Sequence, residues 1–583
     1  MILKAVRSIL LLLSIYGYAQ YFLSRLKLRA ELVLPVILSL FGSVIFLAGL
    51  LNIMSETATI IFLTGIILGI ISVKRKYNPA GLITAGTVIC ALSLAALLFF
   101  TYGVEFTAYD DFSHWGTAVR LLVTKNRFPN FEDSVIYFDS YPLGSASLIY
   151  YFSKITGICS EWFYIWVQQI ATVCFAGSLF VFCKKKSLLE YLSCSVAVFC
   201  ILFCKNGVNI NSEILVDTLL SVSGISGIAV CLFYRENINE KLFALIPINI
   251  FLATVKNSGV FFAAIITVYY IYRVAELGKL KTLLSPINIM SLLSPFIVMF
   301  LWKKHVAFAF SEGMSAKHSM SIENYSKIFS EKTPELVSQI SNSFLNKVFS
   351  LNNTFFIILI VLLAAVIILK VLKIKTSLYS ETTVLIVGSY LFYQLGNYFM
   401  YIFSMPNSEA SNLASYERYH TTILTFTVGI FWIFIAEFYH SLGMPLSYVK
   451  LKAAILNTIY TIVVSCVIWS VLTPSLNYFK KVAYTGSDRQ ILDSVFERYA
   501  ANIPAGESYA VIWEFDRSGY RYFAARYVFN TGKIVRIGSD DPEKTETDTQ
   551  GCDFLVVPEH NEKIDAFLLR KFGNCNEDFY SLG

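Results

Sequence analysis

The chain has 583 residues, of which 56% are hydrophobic and 15% charged, with a formal net charge of +7 and a mean hydropathy of +0.60. One water-soluble core could not bury that much apolar side chain, so a soluble globular protein is excluded. A polytopic membrane protein is expected.

Apolar runs of about 18 to 25 residues recur along the chain, each long enough to cross roughly 30 Å of hydrocarbon as a helix. They centre near Leu12, Leu40, Gly65, Ser93, Thr172, Val196, Ser221, Ile248, Ile265, Leu293, Val361, Tyr390, Val428 and Val464. This predicts an all-α bundle of about thirteen or fourteen transmembrane helices. No small-residue cleavage site follows the first run, so it is not read as a removed signal peptide.

Short loops rich in Lys and Arg are retained on the cytoplasmic side of a membrane. Segments 24–29, 74–76, 184–186, 235–241, 273–281, 370–375 and 450–452 carry such charge and alternate with the other loops. The alternation predicts that loops 102–160, 303–350 and 404–415 and the tail after 476 lie outside. Lys4 and Arg7 conflict with it, because an inside N-terminus would leave the first apolar segment in the interface. Whether that segment spans is open at this level.

Residues 1–478 are therefore read as a membrane domain and 479–583 as a small extracytoplasmic α/β domain. The tail is expected to form a helix over 487–503, strands over 508–515, 533–538 and 552–559, and helices over 520–529 and 562–572. It has no glycine-rich phosphate fingerprint. Cys552 and Cys575 are its only cysteines, and an oxidising compartment would allow them to pair. The other nine are scattered without CxxC spacing and read as small packing residues.

Polar residues at membrane edges stand out, since a charge at membrane depth costs from about 2.5 kcal/mol upwards unless paired or wetted. In YDDFSHW, residues 109–115, a helix from Phe112 would put Asp110 and His114 on one face, and Asp111 with Trp115. Carboxylate and imidazole could converge on one proton or one cation; the alternative is that an Asp merely caps the helix. Asp139 and Tyr141 precede the rigid turn of YPLG in the same loop, which suggests a structured cap over a pocket. Glu213 and Asp217 share a helix face at the outer end of a span. Glu213 suits the positive helix end, whereas the deeper Asp217 needs a donor, a cation or water.

Lys256 in TVKNSG stands beside Ser258 and Gly259, which start a helix whose free amides suit an anion. Glu417, Arg418, Tyr419 and His420 crowd another membrane edge, and Arg can grip phosphate through two parallel hydrogen bonds. Loop 303–350 adds His305 and His318, with amphipathic stretches that could lie on the bilayer.

Taken together, the early acidic pair, the YPLG turn, the Lys after the first large loop, the late Arg-Tyr and the appended domain resemble the GT-C superfamily of membrane glycosyltransferases. That superfamily includes protein O-mannosyltransferases and lipid A aminoarabinose transferases. The acidic pair reads Asp110-Asp111 here, which marks a divergent branch. The resemblance implies a multi-pass protein of the bacterial cytoplasmic membrane, acting outside, with inversion at the anomeric carbon. Its donor would be a sugar on a polyprenyl phosphate and its acceptor a glycan, lipid or protein, with no nucleic acid involved. Asp110 would be the general base, and Asp111 and His114 would orient it or hold a divalent cation. Lys256, Arg418 and Tyr419 would bind the phosphate, leaving Asp139, Tyr141, Glu213, Asp217 and His318 as pocket or acceptor residues. No cofactor is certain from the resemblance, and dependence on a divalent metal ion stays open. The rival readings are a polysaccharide polymerase or ligase and a lipid-linked-glycan transporter or flippase; the chain shows no internal repeat of the kind transporters carry.

Overall fold

In the computed structural model the apolar runs become helices, and the polar breaks between them decide where each one stops. Residues 2–183, 187–310, 326, 328–371, 373, 377–443, 450–480, 484–500, 503, 507–513, 518–538 and 546–582 are described. Apart from short turns, the helices are α1 Ile2–Ser24, α2 Ala30–Leu50, α3 Met54–Lys74, α4 Ala85–Thr101, α5 Gly116–Lys125, α6 Gly144–Thr156, α7 Glu161–Gly177, α8 Leu188–Leu202, α9 Asp217–Phe233, α10 Leu242–Val255 and α11 Gly259–Glu276. They continue with α12 Pro286–Ala309, α13 Pro334–Val348, α14 Phe355–Val371, α15 Ser377–Phe403, α16 Tyr416–Gly443, α17 Lys450–Leu472, α18 Asp488–Val495, α19 Tyr520–Phe529 and α20 Glu562–Phe572. Local chemistry sets several starts: Ser285 and Thr333 accept from backbone amides of α12 and α13, each of which has Pro in its first turn.

Among the described residues, eight helices are long and apolar enough to cross a membrane, and five further apolar helices have 10–17 residues. The expected runs near Val196 and Ser221 are among the shorter ones. Their helices stop at Leu202 and restart at Asp217, because segment 203–216 folds inward over a polar site. The molecule is a helical membrane bundle, and of the eight long helices α2, α7 and α16 are the most buried.

Helix α1 packs parallel to α3. The Ser14 hydroxyl donates to the Phe62 carbonyl at 2.9 Å, and Gly17 meets Gly65 and Gly69 so closely that a Cβ there would lie 2.0 Å from the Gly65 carbonyl oxygen. Small residues four apart allow this approach between membrane helices. Leu23 reaches Gly81 and Arg25 lies over the Tyr77 ring, so the C-terminal end of α1 joins the loop after α3. Arg7 lies against Gly157. The first apolar segment therefore runs the length of α3, and Lys4 and Arg7 belong to the end that carries loop 102–160.

The basic loops gather at the opposite end. The Lys241 ammonium donates to the Leu26 carbonyl, the Tyr234 hydroxyl to the Lys27 carbonyl, the Lys279 ammonium to the Asn239 side chain, and Arg273 to the Arg235 carbonyl. Buried Arg273 also pairs with Glu381 at 3.2 Å, closing that end across α11 and α15.

The tail forms a four-stranded sheet of order β2-β1-β3-β4, with β1 Tyr509–Trp513, β2 Ile534–Gly538, β3 Phe554–Val556 and β4 Phe579–Ser581. Strand β1 lies parallel to β2 and β3, while β3 and β4 are antiparallel. All of β1 is buried, as its continuous apolar sequence requires of a central strand. Cys552 and Cys575 are free thiols, contrary to the possible pairing: Cys552 is buried in the core beside β3, and the Cys575 sulfur faces the Asn576 side chain at 4.0 Å.

The tail packs directly on loop 102–160. Phe112 meets the rings of Tyr520 and Tyr527, Tyr109 meets Phe523, and Arg526 donates to the Ser134 carbonyl at 2.5 Å. Glu161 accepts from the Phe106 amide, the Tyr527 hydroxyl and Arg489. Glu105 sits beside it, and burial followed by repulsion from Glu161 pushes its carboxyl up to about 7.

Candidate functional site

At the end opposite the basic loops, four charged residues from four segments form a chain of alternating sign. The Lys256 ammonium lies 2.8 Å from Asp217 Oδ1, Arg418 Nε lies 3.8 Å from Asp217 Oδ2, and Arg418 Nη1 donates to Asp110 Oδ2 at 2.7 Å. Asp217 is 4% exposed, so its charge is sustained by its two cationic neighbours. Asp217 Oδ2 and Arg418 Nε face each other across that distance, and neither has a hydrogen-bond partner among the described residues.

Each member is positioned by local structure. Asp217 opens α9, where the Ser221 hydroxyl donates to the Thr422 carbonyl at 2.7 Å and ties α9 to the first turns of α16. Arg418 and Tyr419 project from that start of α16, and both Arg418 and Lys256 lie within about 5.5 Å of the Tyr419 ring centroid. Lys256 occupies the sharp break between α10 and α11. The break needs Gly259, where a Cβ would fall 1.8 Å from the Leu252 carbonyl oxygen. Gly144 of the YPLG turn packs on the Thr254 backbone with the same intolerance of a side chain. That contact brings Tyr141 to Lys256.

Tyr141, Lys256, Asn257, Ser258 and Tyr419 form the polar end of a cavity of about 720 Å³. Phe261, Phe399, Met400 and Phe403 line its apolar remainder. Phe399 and Phe403 are exposed on the outer surface of α15, so the cavity opens where lipid would lie. Asp139 is buried in the same loop as Tyr141 but does not line the cavity.

The stretch DFSHW departs from the expected α-helix. Asp111–Trp115 is a π-turn, with the Gly116 amide donating to the Asp111 carbonyl, and α5 begins only at Gly116. The wider turn removes the four-residue register that would have aligned Asp110 with His114. Asp110 stays at the surface of the site, whereas His114 is 3% exposed and packs against the rings of Trp115 and Tyr141. Neither nitrogen of His114 has a hydrogen-bond partner among the described residues, and burial pushes its imidazole down to about 3, so the ring is neutral. Asp111 is also fully enclosed. Its Oδ1 accepts from the Ile214 amide at 3.1 Å and its Oδ2 has no partner. Burial first, then the neighbouring Glu213, push its carboxyl well above the usual carboxylate range. Asp111 thus anchors segment 203–216 and makes no side-chain hydrogen bond to Asp110. Glu213 lies close enough to Asp110 for the two to repel, and burial with that repulsion pushes its carboxyl up to about 7.

Asp111 and His114 share no polar contact, and among the described residues no three His, Cys, Asp or Glu side chains gather as a metal site would require. His318 lies outside the described residues. His305 packs on Trp302 and Phe128 rather than at the cavity.

Sequence reasoning missed two contributors. Tyr393 and Asn397 of α15 line the cavity, and their spacing of four was a readable signal. The packing of Arg489, Tyr520 and Tyr527 over Phe112 was not readable, since it joins segments hundreds of residues apart. No protein-family model, curated protein or solved structure matches this chain.

Proposed function

We propose that this protein is a membrane glycosyltransferase that moves a sugar from a polyprenyl-phosphate carrier to an acceptor on the extracytoplasmic face of a bacterial cytoplasmic membrane. One observation carries the reading: a lipid-facing cavity whose apolar walls lead to Lys256, with Arg418 and Asp110 following along one chain of ion pairs. Such a cavity suits a ligand with a long apolar tail and an anionic head. The gathering of basic loops at the far end supports the outward orientation.

In this reading the isoprenoid lies against Phe261, Phe399 and Phe403, and the phosphate sits by Lys256, Arg418 and the first amides of α11. The acceptor hydroxyl gives its proton to the Asp110 carboxylate as its oxygen bonds to the anomeric carbon. The bond from that carbon to the phosphate oxygen breaks, and its electron pair leaves with the phosphate. Lys256 and Arg418 stabilise the charge that develops there, within a site the aromatic cap shields from water. Attack opposite the leaving phosphate inverts the anomeric centre. No step requires a metal ion.

The test is reconstitution in proteoliposomes with a panel of polyprenyl-phosphate sugars, comparing wild type with the double variant Lys256→Met, Asp217→Asn, which leaves no orphan charge. Release of polyprenyl phosphate that depends on Lys256 is expected. Movement of a lipid-linked glycan across the bilayer with no donor consumed would instead establish transport and overturn the proposal.

A further inference from the structure

The first turns of α16 face two ways. Arg418 and Tyr419 belong to the site described above, whereas Tyr416, Glu417, His420 and Thr421 line a separate pocket of about 430 Å³ at the same end of the bundle. That volume lies within the roughly 300–1000 Å³ typical of small-molecule sites. Its other walls come from segment 204–206, the region around residues 347–354 and the end of α17 at Leu472. It shares no lining residue with the lipid-facing cavity.

The polar groups of this pocket divide into fixed and unused ones. Asn353 is saturated: its amide donates to the Val348 carbonyl and the Tyr390 hydroxyl, and its oxygen accepts from the Phe355 amide. His420 pairs through Nε2 with the Tyr390 hydroxyl at 3.2 Å and stacks on Tyr416, with planes 10° apart. These contacts make a rigid floor. Around it the side chains of Lys205, Asn352, Thr354 and Thr421 have no hydrogen-bond partner among the described residues. The Tyr416 hydroxyl is fully enclosed, on a residue 4% exposed, and is likewise unpartnered.

We infer that this pocket is a carbohydrate subsite, which binds a sugar residue of a glycan through amide and hydroxyl groups. The chemistry favours a hydroxyl-rich ligand over a lipid or an anion. Apart from Lys205 and the Lys347–Glu417 pair, which is closed at 2.7 Å, the walls offer neutral donors and acceptors. Segment 203–216 links the two sites, giving Lys205 and Asn206 to the pocket and Glu213 to the neighbourhood of Asp110. The identification of the bound glycan as the acceptor rests on the glycosyltransferase reading; the binding of saccharide does not.

The experiment is saturation-transfer NMR on the full-length protein in nanodiscs, with a panel of methyl hexosides, N-acetylhexosaminides and di- to tetrasaccharides. The variants are Asn352→Ala and Thr421→Val, whose side chains hold no structural hydrogen bond. Wild type should show saccharide contact, and each variant should weaken it by about tenfold, the effect of losing roughly 1.4 kcal/mol. Polyprenyl-phosphate binding, followed in parallel by native mass spectrometry, should be unchanged in both variants and lost in the double variant Lys256→Met, Asp217→Asn. Saccharide contact unaffected by both substitutions, or absent across the panel, overturns the subsite. Saccharide contact that persists in a protein with no affinity for polyprenyl phosphate leaves the subsite standing and removes the donor reading instead.

Discussion

Arg418 and Asp110, 308 positions apart in the chain, meet through a hydrogen bond of 2.7 Å. The guanidinium also lies 3.8 Å from Asp217, so one cation serves a surface carboxylate and a buried one. Asp110 is the only one of the two with access to a substrate: its side chain is 34% exposed and that of Asp217 5%. A base must reach its proton, so in the proposed reaction the proton-accepting role falls to Asp110. Asp110→Asn should therefore reduce turnover by about 10²–10⁴-fold, the usual range for loss of a general base. Donor affinity should change little, because the amide keeps the shape of the site. Single-turnover transfer in proteoliposomes, alongside donor binding, separates the two effects.

The Lys256–Asp217 pair makes a different demand. Both side chains are enclosed, at 13% and 5% exposure, and removing the lysine leaves the buried carboxylate with Arg418 alone, at 3.8 Å. Lys256→Met should destabilise the fold by about 3–5 kcal/mol. Asp217→Asn combined with Lys256→Met should cost less than the single lysine change, since no orphan charge then remains. Thermal unfolding in detergent provides the comparison, and equal or additive losses would show that the two residues do not act as a pair.

Much of this site was legible as residue types at outer helix ends. Asp110, Asp217, Lys256 and Arg418 were each identifiable because a charge at a membrane edge needs a reason, and the structure brings all four together. The strands and helices of the tail were also readable, except for β4, whose three residues are too few to show alternation. What failed was the register within DDFSHW. Four-residue spacing assumes an α-helix, and one π-turn moved His114 from the face of Asp110 into an aromatic core. Helix lengths were overread for the same kind of reason, as hydropathy does not register a loop such as 203–216 that folds inward to meet Asp111.

Glu213 gives the protein a specific response to pH. Its carboxyl is pushed from 4.5 up to about 7 in the fold, so between those values the folded state binds more protons than the unfolded state. The stabilising contribution of the proton is complete below about pH 4.5 and is lost as pH rises to about 7. Glu213→Gln cannot titrate. The difference in Tm between wild type and Glu213→Gln should fall across that interval and stay level above it. Melting curves of both proteins from pH 4 to 8.5 would show this, and parallel curves would mean that Glu213 ionises as an ordinary surface carboxylate.

The tail is held over the π-turn by Arg489, which pairs with Glu161 and Asp493 and lies over the rings of Phe112 and Tyr527. Arg489 is 6% exposed, so Arg489→Ala strands the Glu161 carboxylate beside Glu105 and opens the ring stack that covers Phe112. A loss of about 3–5 kcal/mol is expected at this interface, enough to release the tail locally without unfolding the bundle. Hydrogen exchange should then rise in α18, α19 and segment 105–116 together, while α2 and α7 remain protected. Turnover should fall with the loosened cap, because water enters beside Asp110. Arg489→Lys retains the charge but not the planar contact with the two rings, and should give an intermediate rise in exchange. If exchange increased in α18 and α19 but not in 105–116, the tail would be shown to pack on the loop without holding it in place.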